Sequence, residues 1–157
     1  MLKFAKAAVI AATVTFAGIA APAEAQVFYM NKNTAYAKAD QAMRAGDLDR
    51  ASKLFKHALK GTLHGETLLA AYNNLCAVEL ARGELTSAEK ACSGVIGENR
   101  LYWRAYVNRG HVKAAMGRQQ EALADLHKAL ELKPGNAIAK RVLARVEQAG
   151  KLYAEAK

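Results

Sequence analysis

The chain has 157 residues, with 23 Lys+Arg against 14 Asp+Glu for a formal net charge of +9, and only two cysteines. Less an export segment, that length is one modest domain able to bury a core without many disulfides. The basic excess favours acidic partners (envelope lipids, anionic polymers, acidic protein surfaces or nucleic acid) or else serves only to keep the surface solvated.

The chain opens on MLKFAKAAVIAATVTFAGIAAPAEAQ, which reads as an export signal. Lys3 and Lys6 supply the positive start, and Ala7 to Ala21 is an unbroken apolar or small-residue run. Pro22 breaks it, and Ala23-Glu24-Ala25 places small residues at both positions a signal peptidase inspects. A membrane-spanning helix needs about 20 apolar residues, more than this run supplies. The expectation is a signal peptide over 1–25, cleavage after Ala25, and a periplasmic product of bacterial origin that starts at Gln26. Gln26 rather than Cys after the cut gives no support to a lipid anchor. Losing Lys3, Lys6 and Glu24 leaves 21 basic and 13 acidic residues, so the mature domain, 26–157, keeps +8. Export argues against nucleic acid as a partner.

Beyond the signal, glycine punctuates a run of helical segments. AGDLDRASKLFKHALK, RGELTSAEKACSGVIG and MGRQQEALADLHKALELKPGN each set Gly ahead of a helix with Ala five residues later. The pairs are Gly46 and Ala51, Gly83 and Ala88, Gly117 and Ala122; the glycines are 37 and then 34 residues apart. Seven residues beyond each alanine stand Ala58, Val95 and Ala129, with Phe55, Cys92 and Leu126 between. A further helical stretch precedes the later glycines, carrying Tyr72, Leu75, Cys76 and Leu80 in one case and Tyr106, Arg109, Gly110 and Ala114 in the next. The third copy closes on Pro134-Gly135-Asn136.

This pattern resembles the tetratricopeptide repeat, a helix–turn–helix unit of about 34 residues. Small residues let antiparallel helices approach while large ones fill the groove beside them. The resemblance implies an all-α, right-handed superhelix of three helical hairpins, with repeats over about 32–65, 69–102 and 103–136. The third copy matches most specifically. The second has Cys92 where a bulky residue is usual, and Gly94 and Gly97 inside its second helix, each costing about 1 kcal/mol against alanine. The first has Ala35 and Lys38 where an aromatic and a leucine are preferred. The last stretch, about 137–155, reads as a capping helix with Ile138, Val142, Val146 and Tyr153 at helical spacing and Lys140, Arg141 and Arg145 outward. A basic amphipathic helix at a membrane surface is the other reading.

Nothing in the chain assembles into a catalytic constellation. It has no Gly-rich phosphate loop, no metal-ligand spacing and no nucleophile elbow. His57, His64, His111 and His127 are scattered, and the carboxylates read as single groups or helix-surface partners of Lys and Arg. No enzyme activity, metal or cofactor is expected.

Function is then expected in the concave groove, lined in the resembled family by the first helix of each pair. Carried over by position, the groove holds Tyr36, Asp40, Met43 and Arg44, then Asn73, Asn74, Ala77 and Leu80, then Arg104, Val107, Asn108 and His111. Asparagine amides both donate to and accept from a peptide backbone, and Arg104 can clamp a carboxylate. The chaperone-binding branch of the family uses two Lys, two Asn and one Arg as a carboxylate clamp. Here Asn74 fits one position and Arg104 replaces a Lys, while Tyr36, Asp40 and Asn108 break the pattern. The expected partner is a protein or peptide, with an anionic envelope surface as the alternative.

Cys76 and Cys92 sit eight residues either side of a turn near Glu84, so an antiparallel hairpin puts them level. Helix axes about 8–9 Å apart, with each Cα about 2.3 Å off its axis, leave roughly 4–5 Å between facing Cα atoms. That is compatible with a disulfide, which an oxidising periplasm preserves. The alternative is two small buried apolar side chains.

Overall fold

The computed structural model describes residues 23–155, with side chains described for 34–151. The predicted export segment lies outside these residues up to position 22, as does the Tyr153 side chain. The chain divides into two compact units, residues 1–34 and 35–157. Within the first, residues 23–34 are helical. The described residues form seven α-helices and no strand. They are α1 (Ala23–Arg44), α2 (Leu48–Leu59), α3 (Gly65–Ala81), α4 (Leu85–Glu98), α5 (Trp103–Ala115), α6 (Gln119–Leu132) and α7 (Ala137–Glu155). From α2 onward each helix packs on the next, while α3 also meets α5, and α5 also meets α7. The odd-numbered helices α3, α5 and α7 therefore form one layer.

One turn chemistry, used three times, sets the hairpins. Gly46, Gly83 and Gly117 take φ of 78°, 78° and 76°, a left-handed conformation that residues with a Cβ resist. At each, the residue after glycine donates its N–H back to the carbonyl five residues earlier: Asp47 to Ala42 at 3.0 Å, Glu84 to Glu79 at 2.9 Å, Arg118 to Lys113 at 2.9 Å. These bonds satisfy carbonyls that a helix end leaves without partners. Leucine or glutamine then starts the next helix at once, giving tight antiparallel pairs. The Pro134-Gly135-Asn136 turn works differently, with the buried Asn136 Oδ1 accepting from Ala139 N at 2.8 Å to start α7.

The repeated positions are the core. Ala51, Ala88, Ala122, Phe55, Cys92, Leu126, Ala58, Val95 and Ala129 are all buried. Alanine at the helix crossings brings the axes close, and Gly110 brings α5 closer still to α6. A Cβ on Gly110 would lie 2.8 Å from Leu126 Cγ and 3.2 Å from the Ala122 carbonyl oxygen. Gly94, in α4, sits under the Tyr72 ring, where a Cβ would come within 3.0 Å of it. Its low helix propensity is thus matched by a packing role, whereas nothing lies within 4 Å of a Cβ on Gly97. Cys76 and Cys92 are fully buried at the α3–α4 contact, their Cα atoms 5.2 Å apart and their sulfurs at bonding distance.

Two features differ from the sequence reading. On α7 the buried stripe is Ala139, Val142 and Val146, and Ile138 is 57% exposed. One residue along a helix is a rotation of about 100°, which turns Ile138 away once Ala139 faces inward. The carboxylates, too, are not all surface partners. Glu79 of α3 is 0% exposed, accepting from Ser52 Oγ and pairing with Lys56 Nζ and Arg82 Nη1, each at 2.9 Å. Arg82 also reaches Asp49 at 2.8 Å. In the third hairpin Asp125 takes both prongs of Arg109, at 2.8 and 2.7 Å, and Lys113 at 2.8 Å. Arg109 continues to Ser93 of α4 at 3.3 Å, and Arg118 joins Glu89 of α4 at 2.8 Å to Glu121 of α6 at 2.6 Å. Glu79 and Glu89 tie one hairpin to the next while Asp125 braces the third internally, and each buried side-chain oxygen among the described residues has its donors.

Burial opposes the charge on Glu79, but the Ser52 hydrogen bond, Lys56 and Arg82 outweigh it and hold the carboxyl below its ordinary value of 4.5. A carboxyl depressed in the folded state contributes stability above its unfolded pKa and loses it as pH falls through the folded one. Glu79→Gln is therefore expected to cost about 1.5–3 kcal/mol at pH 7, the scale of a charge-assisted bond. The gap to wild type, read by urea denaturation, should shrink below about pH 4.5 as wild-type Glu79 itself protonates. A pH-independent gap would mean that the ionised state contributes nothing.

Candidate functional site

The groove positions divide into three groups. Near the N-terminus of the second unit, Tyr36 is half-buried with its ring edge-on to Phe55, centroids 5.9 Å apart, so it completes the first hairpin's core. Burial, then the Asp40 carboxylate, pushes its hydroxyl above the ordinary 10.0. Asp40 and Arg44, one helical turn apart, pair with each other at 2.7 Å. Together these residues form a closed polar–aromatic edge.

In the middle, amides meet. Asn73 and Asn74 of α3 are half-buried, and Asn108 of α5 reaches across with Nδ2 donating to Asn73 Oδ1 at 3.0 Å. Asn73 Nδ2 lies 3.5 Å from Asn74 Oδ1, at the outer limit of a hydrogen bond. An asparagine amide offers two donors and two acceptor lone pairs. The Asn73–Asn108 bond uses one of each, which leaves both residues with capacity for a further partner. Nearby, Val107 is buried core, while Ala77 is exposed. Arg104 is exposed and stacks over Trp103 at 4.6 Å, with Lys133 on the same ring at 4.9 Å.

At the far end His111 faces a cleft of about 600 Å³ between α5 and α7, lined also by Ala114, Ala115, Gly117, Gln119, Arg145, Val146 and Ala149. Gln119 donates Nε2 to the Val146 carbonyl at 2.9 Å, an approach open only because Gly150 has no Cβ: one there would lie 1.6 Å from that nitrogen. Burial, then the Arg145 charge, pulls the His111 pKa below its ordinary 6.5. Arg145 and Gln119 are the site residues sequence reading missed, since only tertiary packing brings them beside His111. Among the described residues no cluster of His, Cys, Asp or Glu is arranged to hold a metal ion, and no helix is long and apolar enough to cross a membrane.

Residues 103–136 match the tetratricopeptide repeat family model. The fold is that of a tetratricopeptide-repeat solenoid. The first tetratricopeptide domain of human RPAP3 superposes with a TM-score of 0.72 at 22% identity, covering 82% of this chain and 98% of that one. The first such domain of Spaghetti (RPAP3), solved bound to the HSP90 peptide SRMEEVD, gives 0.69 at 24%, covering 75% and 91%. In sequence, human FK506-binding protein-like is 31% identical over 122 residues, 73% of this chain and 34% of that protein. The chain thus spans about a third of the length of the curated relatives it matches.

The His111 assignment is open to measurement. Its imidazole, followed by NMR, should titrate below 6.5. Arg145→Ala should move the midpoint upward but leave it depressed, because burial is the larger cause. A midpoint unmoved by the substitution would separate the two side chains.

Proposed function

We propose that this chain is a non-enzymatic protein-interaction module of the bacterial envelope, exported through its N-terminal signal and holding a peptide or protein partner across α3 and α5. The observation that carries this reading is the amide cluster of Asn73, Asn74 and Asn108 on the helix layer that lines the groove of such solenoids. An extended peptide backbone needs both donors and acceptors, and amides supply both without favouring one side chain. The peptide-bound relative lends support by analogy of fold alone. Export is supported by the Lys3/Lys6 start, the apolar run to Ala21 and the Ala23-Glu24-Ala25 site. It is supported further by a buried cysteine pair at disulfide distance, which an oxidising compartment keeps joined.

Two outcomes follow. Intact-mass measurement of the protein recovered from a bacterial envelope fraction should show a chain beginning at Gln26; retention of the first 25 residues would remove the export reading. A partner co-purifying from that fraction should bind Asn73→Ala/Asn108→Ala more weakly by roughly 1–3 kcal/mol in a titration, with helicity unchanged. Affinity that survives the double substitution but collapses at 1 M salt, where the Debye length is about 3 Å, would move binding to the basic outer faces and an anionic surface.

A further inference from the structure

The cleft between α5 and α7 has a chemistry of its own, apart from the amide cluster. Its lining is short and apolar: the half-buried Ala114 and buried Val146 form the floor, and Ala115, Gly117 and Ala149 stand exposed at the rim. At about 600 Å³ it lies within the 300–1,000 Å³ range typical of small-molecule sites. Among the described residues Arg145 and His111 are its two basic groups, and no acidic one lines it. Arg145 makes no ion pair among the described residues, unlike Arg44, Arg82, Arg109 and Arg118, each of which is tied to a carboxylate. The cleft thus combines an apolar interior with one uncommitted guanidinium beside an imidazole.

That combination selects between occupants. A peptide backbone laid on the floor of the cleft must find a partner for every N–H and C=O that it turns away from water there, at a cost of several kcal/mol where it finds none. Among the described residues the cleft has one side-chain amide, Gln119, and its Nε2 already donates to the Val146 carbonyl at 2.9 Å. A ligand with a single anionic head and a hydrocarbon tail makes no such demand. Its carboxylate takes the Arg145 guanidinium as a charge-assisted partner, and its tail displaces water from the alanine and valine lining. His111 adds a ring N–H donor to the same head.

We infer that the α5–α7 cleft is a binding site for an aliphatic monocarboxylate of medium chain length, headed by Arg145 and His111 and lined by Ala114, Ala115, Val146 and Ala149.

Octanoate is the probe, titrated into the protein carrying ¹³C-methyl alanine and followed by NMR. The Ala114 and Ala149 methyl signals should shift saturably, and 1-octanol at equal concentration should not reproduce this. Arg145→Gln should weaken binding about ten-fold, the worth of one charge-assisted contact. Ala149→Leu, at an exposed position on the rim where folding is not in question, should weaken it by crowding the cleft. Asn73→Ala should leave octanoate binding unchanged, which separates this site from the proposed peptide surface. Three results overturn the inference: no saturable shift in the wild-type protein, octanol matching octanoate, or octanoate perturbing the Asn73 and Asn108 amides in place of the cleft methyls.

Discussion

Everything in this molecule depends on how closely its helices approach. Alanine at 51, 88 and 122, and glycine at 110, leave almost nothing between neighbouring backbones. Close approach multiplies weak dispersion contacts along the full length of each pair, and it lets a thin core hold a chain with few large side chains. Among the fully buried residues the largest are Phe55 and Leu126. Each fills the groove beside an alanine crossing, so the small and large positions act as one device. The same spacing brings Cys76 and Cys92 within 5.2 Å between Cα atoms. Cys92 stands where the neighbouring hairpins carry Phe55 and Leu126, and Cys76 where the third carries Gly110, so the pair divides between two medium side chains the space that one large and one absent side chain share there.

Thin cores also explain the buried acids. Where helices lie this close, the rims of the contact are partly desolvated, and a charge there needs a fixed partner. Glu79 and Asp125 occupy different places, one between the first and second hairpins and the other inside the third. Each is held by two cations and a nearby serine belongs to each network, Ser52 bonding Glu79 itself and Ser93 bonding Arg109. Buried ion pairs are weak sources of net stability but penalise misregistered packing, because a slipped helix strands a charge. In a solenoid whose apolar contacts are mostly interchangeable alanines, such pairs distinguish the correct register from its neighbours.

The fold was legible because its determinants are local and periodic. Gly46, Gly83 and Gly117 each precede an alanine by five residues, and both the turn conformation and the crossing follow from that spacing alone. The cysteine pairing was legible for the same reason, since counting eight residues either way from one turn needs no tertiary knowledge. The acids were not, although a signal existed. Glu79 shares a helix face with Leu75 and Cys76, and Asp125 lies one turn from Ala122 and Ala129. An acid on an apolar stripe is a buried acid with a partner elsewhere, and that partner is invisible until helices are placed. Ile138 misled through its spacing from Val142, because Ala139 was too small to register as the centre of the stripe. The cleft was out of reach altogether. Arg145 is 34 residues from His111, and only the packing of α7 on α5 makes them neighbours.

The pairing of acids has a consequence for the basic excess. Asp40, Asp49, Glu79, Glu89, Glu121, Asp125 and Glu131 are all tied to cations of the same chain. Their charge is neutralised locally and contributes little beyond a few ångströms. What remains to act at longer range comes largely from cations without such partners, among them Lys140, Arg141 and Arg145 on α7. With Lys151 they stand against Glu147 alone among the described side chains of α7, so that helix carries a local basic excess. The cleft lies against that helix, between α5 and α7, with Arg145 at its wall. An anion attracted to that excess meets Arg145, which makes no ion pair among the described residues. The structural use of the acids and the placement of an anion site are thus two sides of one arrangement of charge.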